Sequence, residues 1–429
     1  MIPIFRSTDS EAVKRLLRSR GTELKKAEST ARRILEDVRR HGDRALANWT
    51  LKLDGIDLGR AGITVKRAEI VKAYRQIPPG FTKAVKLAAR NIRRTAKQQL
   101  PKSWQITNRA GIKISQIVRP LDRVACYVPG GRFPLPSTVL MSVIPAQVAG
   151  VRDILIASPR PAPAVLVAAD MLGVKKIFRL GGAQAIAAFA YGTESVPRAD
   201  KIVGPGNRYV AAAKKLVAGE CGIDFVAGPS ELVVVGSKGN PDWVAADLVA
   251  QAEHDPDAVA IFITPSRKLA LRVQAAVEKV LEEVHAPALA AKALDQHGGI
   301  VITRNLDEAM ELVNAFAPEH LTLLDDAVKR LGHVCAAGSI FLGDSSPVAA
   351  GDYASGTNHV LPTAGAARVR GGLSAADFVK TISVQELSAQ GLARLRKAVV
   401  TLARTEGLEA HAHSIETRFK GHGATPKGR

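Results

Sequence analysis

The chain has 429 residues, of which 46% are hydrophobic, 23% charged and 4% aromatic, and its formal net charge is +20. A chain of this length predicts about two to four domains with sizeable cores, and the apolar fraction argues against disorder. No apolar run approaches the roughly 18 residues that a membrane helix needs, and the first residues lack the basic start and apolar stretch of a signal peptide, so we expect a cytoplasmic protein.

Helical patterns dominate the first part of the chain, up to about residue 118. Aliphatic residues recur at helical spacing among Lys and Arg in 29–41 and 80–99, as they do in helices packed on a protein surface. From about residue 124, short β-branched runs alternate with Ala-rich helical stretches. We expect the chain to be helical again after about Gly372 and to end in a frayed tail at 421–429.

The alternating region contains two series of predicted strands. The first series covers 124–128, 153–158, 175–180 and 200–204. The second covers 231–236, 258–264, 298–303, 321–324 and 338–343, with helices at 241–253, 267–284 and 305–316. The alternation predicts parallel sheets with helices on both faces, and hence an α/β fold of two doubly wound, Rossmann-like units with helical N-terminal and C-terminal segments.

The positive charge has three possible explanations. Nucleic-acid binding would predict one basic face and a strong salt dependence, but the basic residues are spread along the chain and aromatic residues for stacking on bases are scarce. Solvated helix faces are the explanation we favour, with attraction of anionic ligands as the alternative. The charge alone therefore does not decide the function.

Three glycine-bearing turns of the first series are candidate ligand sites, because open α/β sheets bind ligands at the carboxyl ends of their strands. They lie at 127–132, 181–184 and 204–209. Glycine lets the backbone approach a ligand, and N–H groups at helix starts favour phosphates. None of the turns has the GxGxxG pattern. The alternative for each one is a turn that only connects a strand to a helix and binds no ligand. Because three such turns follow strands of the same series, together they favour a ligand-binding site.

Residue types that bind metals occur in three segments. Gln251 and His254 lie three residues apart at a helix end and thus on one face; a polar loop follows at 351–359, and 406–413 adds carboxylates and histidines. Imidazole, carboxylate and amide oxygen together suit a catalytic zinc ion. A histidine at a helix end is more commonly a cap or a surface group, and spacing alone does not show that the segments meet.

Glu319 and His320 form a candidate acid–base pair at a strand start. A histidine is the usual proton acceptor at neutral pH, and a carboxylate beside it can position water. The alternative is a surface dipeptide without a role. The three cysteines (Cys126, Cys221 and Cys335) are too few and scattered for a disulfide framework or a zinc ribbon, and we interpret them as small hydrophobic residues of a reducing compartment.

Eight strings, in this order, resemble the histidinol dehydrogenase family, and the resemblance runs from about residue 5 to 415. The strings are YVPGGR (127–132), GGAQAIAAFAYGTE (181–194), VGPGNRYVAAAK (203–214), AGPSE (227–231), QAEHDPDA (251–258), APEHL (317–321), GDYASGTNHVLPT (351–363) and EGLEAH (406–411). The loop 132–136 departs from the family, in which smaller residues commonly follow PGGR. Because this loop borders a candidate cofactor turn, the departure bears on the strength of cofactor binding.

The resemblance implies a role for twelve residues, carried over position by position. The implied ligands of one Zn²⁺ per subunit are Gln251, His254, Asp352 and His411, with His413 outside the matched position. The implied catalytic pair is Glu319 and His320, and both these residues and the zinc ligands would contact substrate. Further substrate contacts fall on Ser230, His359 and Glu406. The implied contacts to NAD⁺ fall on Tyr127, Gln184 and Asn207.

The resemblance also implies how the chain is organised. The first doubly wound unit would be inserted into the second, and two subunits would form a homodimer with shared active sites. The implied parts are an N-terminal helical segment (1–22), a main domain (23–126 and 232–372), an inserted NAD-binding domain (127–231) and a C-terminal helical dimerisation segment (373–429). We expect neither nucleic acid nor membrane as a partner.

The reaction implied by the resemblance is the oxidation of L-histidinol to L-histidine through L-histidinaldehyde, with two NAD⁺ reduced in succession. One alternative is a relative that oxidises another small amino- or sulfo-alcohol, against which the presence of Ser230, His359 and Glu406 argues. A purely structural zinc protein is a further alternative, disfavoured because structural zinc sites prefer Cys and His to Gln and Asp.

Overall fold

The computed structural model describes residues 2–18, 24–108, 111–130, 133–284 and 287–420. Its strands are β1 (Ile4–Arg6), β2 (Trp104–Thr107), β3 (Ile112–Pro120), β4 (Arg123–Tyr127), β5 (Asp153–Ala157), β6 (Lys176–Phe178), β7 (Lys201–Val203), β8 (Gly222–Ile223), β9 (Glu231–Val235), β10 (Val259–Thr264), β11 (Gly299–Ile302), β12 (His320–Leu323), β13 (Ser339–Leu342) and β14 (Val379–Leu387). Short 3₁₀ helices cover Val328–His333, Ala366–Arg368 and Ala375–Phe378.

The helices follow the same chain order. They are α1 (Ser10–Arg18), α2 (Leu24–Asp54), α3 (Leu58–Ala61), α4 (Arg67–Ala73), α5 (Phe81–Gln98), α6 (Pro136–Ala149), α7 (Pro163–Met171), α8 (Gly182–Tyr191), α9 (Arg208–Val217), α10 (Pro241–Ala252), α11 (Arg267–Glu283), α12 (Pro287–His297), α13 (Leu306–Phe316), α14 (Val348–Tyr353), α15 (Ala389–Thr405) and α16 (Glu409–Thr417). None of these described helices is long and apolar enough to cross a membrane.

Strands β4 to β8 form a five-stranded parallel sheet in the order β6-β5-β4-β7-β8. The chain runs from β4 outward to β5 and β6 and returns through α8 to β7, on the other side of β4. Helices α5, α6 and α7 bury one face of the sheet, and α2, α8 and α9 bury the other. The point between β4 and β7 where the strand order reverses is where a sheet of this kind binds its ligand.

A six-stranded parallel sheet has the order β1-β11-β10-β9-β12-β13. Strands β9 and β10 are buried along their whole length, which explains their near-continuous β-branched sequences. Helices α10, α11 and α12 pack on one face, and α13 packs on the other. The strand order of this sheet reverses between β9 and β12.

The predicted fold class is confirmed, with two doubly wound parallel units of which one is inserted in the other. All nine predicted strands are present, each shifted by at most two residues at its ends. The strands of the five-stranded sheet lie in the chain between β1 and β9 of the six-stranded sheet. The predicted domain boundaries stay a prediction, and the predicted frayed tail lies outside the described residues.

The helical prediction is wrong for two long strands, β3 and β14. They pair with each other in antiparallel register, from Ile112 opposite Leu387 to Pro120 opposite Val379, and β2 pairs with the other edge of β3. Each strand depends on a partner far away in the chain, and such pairing overrides the local composition on which a helical prediction rests. The prediction holds for α15 and α16.

The described chain divides into two compact units. The first unit comprises Met1–Leu100 and Leu121–Phe378 and contains both parallel sheets. The second unit comprises Pro101–Pro120 and Val379–Arg429 and contains the antiparallel sheet with α15 and α16. Each candidate site residue belongs to one of these units and is described within it below.

Candidate active site

The Glu319–His320 pair lies at the start of β12, beside the strand-order reversal of the six-stranded sheet. Helix α13 is followed by Ala317, whose left-handed backbone (φ 51°) turns the chain toward the strand. His320 then sits opposite Leu232 of β9, and the two side chains of the pair are 8% and 5% exposed. The pair therefore occupies the amino edge of its sheet, opposite to the carboxyl edge at which such sheets usually bind ligands.

Glu231 connects the pair to β9. The backbone N–H of Glu231 donates to Oε2 of Glu319 (2.8 Å), and the N–H of Glu319 donates back to Oε2 of Glu231 (3.3 Å). The N–H of Ala364 donates to the other oxygen of Glu231 (3.0 Å). Nδ1 of His320 donates to the Glu231 carbonyl (2.9 Å). This bond fixes the ring orientation and leaves Nε2 as the nitrogen that can accept a proton.

Asp352 of α14 faces that free nitrogen. Its Oδ1 lies 3.5 Å from Nε2 of His320, and Nε2 makes no hydrogen bond within the described part of the chain. The carbonyl of Asp352 accepts a hydrogen bond from Nδ1 of His359 (2.9 Å), whose Nε2 lies 3.2 Å from the hydroxyl of Thr138. The buried ring of His320 therefore points a vacant nitrogen toward a group of polar side chains.

The ionisable groups of this cluster act on one another. Burial raises the pKa of Glu319, although the charge of His320 opposes the shift. Burial lowers the pKa of His320, but the carboxylates of Glu319 and Asp352 outweigh burial and raise it above its usual range. Burial raises the pKa of Asp352, and its interactions with His320 more than reverse the shift. The three groups therefore share protons as one coupled unit.

Gln251 and His254 lie at the end of α10, a helix that contacts α14. The Gln251 side chain is buried, whereas His254 is exposed and donates from Nδ1 to the carbonyl of Ala250 (3.0 Å). The charge of His254 is among the causes that lower the pKa of Asp352. Because its Nδ1 is engaged, Nε2 of His254 stays available as a metal ligand.

The donor types in this cluster fit zinc. Within the described residues no group of three or more His, Cys, Asp or Glu side chains is arranged to hold a metal ion. Gln251, His254 and Asp352 offer an amide, an imidazole and a carboxylate. Amide oxygen, imidazole and carboxylate suit a catalytic zinc site, which keeps a position open for substrate.

The implied NAD⁺ contacts lie at the carboxyl edge of the five-stranded sheet. Tyr127 ends β4, and its buried hydroxyl accepts a hydrogen bond from the N–H of Gly182 (3.1 Å); burial raises the pKa of Tyr127 to about 12. Gln184 of α8 is buried and donates to Asp54 (2.8 Å), and its Oε1 has no partner among the described residues. An unpaired buried acceptor of this kind fits a ligand with a hydrogen-bond donor.

Asn207 caps α9 from the turn that follows β7. Its Oδ1 accepts hydrogen bonds from the backbone N–H groups of Tyr209 (3.0 Å) and Val210 (3.1 Å). Gly204, at φ +113°, lies so close to Tyr127 that an added Cβ would overlap the carbonyl oxygen of that residue. The turns after β4 and β7 therefore meet at the strand-order reversal, as the glycine pattern of the sequence predicts. Gly131 and Arg132 of the first turn lie outside the described residues.

Ser230 immediately precedes β9, and its carbonyl accepts a hydrogen bond from the N–H of Val259 (2.9 Å). The structure therefore brings it next to Glu231 and the catalytic pair. Glu406 and His411 belong to the second unit, where Glu406 directly follows α15 and His411 lies in the first turn of α16. Both side chains are exposed.

Sequence reasoning missed three residues that support these sites. Glu231 is a carboxylate in an otherwise apolar strand, a signal that it needs a polar partner. Lys214 and Asp224 form a buried ion pair beneath the turn at Gly204. Nothing in the local sequence distinguishes Lys214 from Lys215.

Comparison with known proteins gives a consistent result. A family model described as histidinol dehydrogenase matches residues 17–419. The histidinol dehydrogenase of Methanothermobacter thermautotrophicus is 47% identical over 395 residues, which cover 90% of this chain and 92% of the relative. That of Syntrophotalea carbinolica is 47% identical over 399 residues, which cover 92% and 93%.

The fold agrees with these sequence matches. The crystal structure of histidinol dehydrogenase from Elizabethkingia anophelis aligns with a TM-score of 0.92 over 99% of both chains, at 34% sequence identity. The chain therefore belongs to the histidinol dehydrogenase family, whose members are NAD-dependent oxidoreductases that catalyse the final step of histidine biosynthesis.

Proposed function

We propose that this chain oxidises L-histidinol to L-histidine through L-histidinaldehyde, with Glu319 and His320 as its acid–base pair. The observation that carries the proposal is the buried His320 ring, held by the Glu231 carbonyl with Nε2 vacant. A buried proton acceptor held in one orientation suits the removal of a proton from a bound alcohol. Family membership supplies the substrate.

In the first oxidation, Nε2 of His320 accepts the proton of the substrate hydroxyl. Bound NAD⁺ supplies the hydride acceptor for this oxidation and for the next one. Asp352, 3.5 Å from Nε2, stabilises the imidazolium that the proton transfer produces. The hydrogen bond from Nδ1 to the Glu231 carbonyl keeps the ring in place throughout.

In the second oxidation, Glu319 activates a water molecule for addition to the aldehyde. Burial raises the pKa of this carboxyl, and a carboxylate with a raised pKa is a stronger base than an exposed one. During this addition His320 returns the proton from the first oxidation to the aldehyde oxygen, and it then accepts the proton of the hydrate as the second hydride leaves. Two bases are needed because oxidation of the aldehyde requires both the activation of a water molecule and the removal of a proton from the hydrate, whereas oxidation of the alcohol requires only the removal of one proton.

The remaining implied residues are assigned by position. We propose that Tyr127, Gln184 and Asn207 contact NAD⁺, a role supported by their position around the strand-order reversal. Ser230, His359 and Glu406 are proposed to bind substrate, together with the zinc ligands and the catalytic pair. Ser230 and His359 lie beside Glu231 and Asp352 respectively, which supports their assignment.

The test of this function is the stoichiometry of the reaction. Purified protein supplied with L-histidinol and NAD⁺ should form two NADH for each L-histidine, followed by absorbance and by amino-acid analysis. L-Histidinaldehyde supplied in place of L-histidinol should yield one NADH. Activity on another amino alcohol without activity on L-histidinol would refute the substrate.

We propose that Gln251, His254, Asp352 and His411 bind one zinc ion, which when bound would hold and polarise the substrate. Chelation should abolish activity, and zinc should restore it without refolding, because the domains have their own cores. Asp352→Ala should lose stoichiometric zinc by metal analysis, whereas Asp344→Ala, on an exposed turn after β13, should retain it. Full activity of a metal-free preparation would refute zinc dependence.

We also propose a homodimer in which His411 and Glu406 complete the site of the partner subunit. The second unit is small and exposes apolar side chains such as Leu402 and Leu408, which a partner would cover. Mixing inactive His320→Asn and His411→Ala proteins under subunit exchange should restore activity, because one site of each mixed dimer is intact. No activity despite proven mixed dimers would refute shared sites.

The scattered free cysteines further support a cytoplasmic location.

A further inference from the structure

A cavity of about 550 Å³ lies between α5 and the end of α7, in the first unit. Its volume falls within the range of about 300–1,000 Å³ that is typical of small-molecule sites. Five basic side chains line this α5 cavity: Lys86, Arg90, Arg93, Arg94 and Lys97. Among the residues that the structure describes, no acidic side chain lines it. An uncompensated positive concave surface is a strong attractor of anions.

The basic side chains of the α5 cavity form one stripe along α5. At 100° per residue they fall within an arc of about 100° of the helix circumference, opposite the buried residues Val85, Ala88, Ile92 and Ala96. Within the described residues, none of the five makes an ion pair, and Arg93 donates to the neutral amide of Gln147 (3.2 Å). The nearby carboxylate of Asp170 is already engaged by Arg67 and Tyr74.

The floor of the cavity is apolar. It is formed by Val85 and Ala89 of α5 and by Met171 and Leu172 at the end of α7. A charged rim around an apolar floor suits a ligand with several negative groups and a less polar body. No aromatic side chain of the described chain lines the cavity, although stacking on aromatic rings is the usual means of holding single-stranded nucleic acid.

We propose that the α5 cavity binds a compact polyphosphate, either free or carried by a nucleoside. Linked phosphates place several charges within a few ångströms, which matches five cations on adjacent turns of one helix. The planar guanidinium groups of Arg90, Arg93 and Arg94 can each donate two parallel hydrogen bonds to a phosphate. This anion site is separate from the function proposed above, whose substrate is cationic.

The α5 cavity and the candidate active site lie on different sides of α5. Asn91, on another face of the helix, donates to the carbonyl of Ala354 (2.8 Å), two residues after Asp352. Gly356 packs against the backbone of Asn91 on that same face. A ligand in the cavity therefore leaves the catalytic side chains accessible, and it should not compete with L-histidinol or NAD⁺.

The test is calorimetric titration of the full-length protein with inorganic tripolyphosphate at about 50 mM salt, where screening is weak. The site variant is Arg90→Glu with Arg94→Glu. The matched control is Arg272→Glu with Lys279→Glu, on exposed positions of α11, which changes the net charge by the same amount. Circular dichroism and oxidation of L-histidinol serve as checks that both variants are folded.

We expect wild type and control to bind about one equivalent of tripolyphosphate and the site variant to bind it at least about tenfold more weakly, with basal activity unchanged. Saturating NAD⁺ should not displace it. Absence of binding, equal losses in both variants, or displacement by NAD⁺ would overturn the proposal. Much tighter binding of a single-stranded RNA than of tripolyphosphate would also overturn it.

A parallel titration with ATP identifies the source of the phosphates. Tighter binding of ATP than of tripolyphosphate would identify a nucleotide whose base contacts the apolar floor at Met171 and Leu172. Equal affinity would identify the phosphate chain alone as the recognised group. The variant Met171→Asp should weaken ATP binding selectively in the first case and should affect both ligands to a similar extent in the second.

Discussion

The buried ion pair beneath the proposed NAD⁺ turn allows a quantitative test of how this turn is held. Nζ of Lys214 pairs with Asp224 and donates to the carbonyl of Gly204 (3.0 Å). Oδ2 of Asp224 accepts from the N–H of Gly204 (2.7 Å). The side chains of the pair are 2% and 0% exposed. Both backbone groups of Gly204, three residues before Asn207, are therefore held by this pair.

We expect Lys214→Met to destabilise the turn by about 3–5 kcal/mol, because it leaves the Asp224 charge buried without a cation. The N–H groups of Gly204 and Phe225 still donate to the Asp224 carboxylate in this variant. We therefore expect a destabilisation at the lower end of this range. A loss of about 3 kcal/mol corresponds to amide exchange roughly 100-fold faster in the segment 201–210. The KM for NAD⁺ should rise about tenfold as the competent turn becomes less populated.

The assay is hydrogen–deuterium exchange followed by mass spectrometry, combined with initial rates at varied NAD⁺. Lys215→Met is the matched control, because its pair with Glu28 is half-exposed and worth at most about 1 kcal/mol. Adding Asp224→Asn to Lys214→Met should recover part of the protection by removing the unpaired charge. The same exchange rate and the same KM in Lys214→Met and Lys215→Met would refute the reasoning.

Three further predictions concern the candidate active site. His320→Asn should lower kcat by about 10²–10⁴ with little change in zinc content; wild-type kcat would exclude His320 as the base. Glu319→Gln should slow oxidation of the aldehyde more than that of the alcohol, measured with each substrate separately, and equal losses would contradict the assignment of water activation. Gly204→Ala should raise the KM for NAD⁺ at least about tenfold, because its Cβ would overlap the Tyr127 carbonyl; an unchanged KM would show that the two turns need not meet.

Local patterns were sufficient for most of the secondary structure. The buried strands β9 and β10 are rich in β-branched residues and are bounded by turns, and such patterns do not depend on distant partners. The strand pair β3 and β14 could not be predicted in this way. Each of these strands is stabilised by pairing with the other. The two strands are far apart in the chain, so they can pair only when the chain between them has folded.

The strand that lies beside the catalytic pair is a second property that local sequence does not contain. The general rule for open sheets directs attention to carboxyl edges, and the NAD⁺ turns at Gly204 and Tyr127 follow it. The Glu319–His320 pair instead lies at an amino edge. The start of β12 sets this edge, whereas the groups that contact the pair depend on which strand lies beside β12, and thus on the order of the strands in the sheet.

The sequence by itself determined the fold class, the strand and helix series and the family, because periodicity and long motifs are properties of neighbouring residues. Only the tertiary structure decided which groups surround the catalytic pair. Glu231 and Asp352 act on Glu319 and His320 through contacts of 2.8–3.5 Å between residues far apart in the chain. The electrostatic effects that shift the pKa of a base weaken with distance in space and do not depend on distance along the chain. The folded arrangement of the strands therefore determines them.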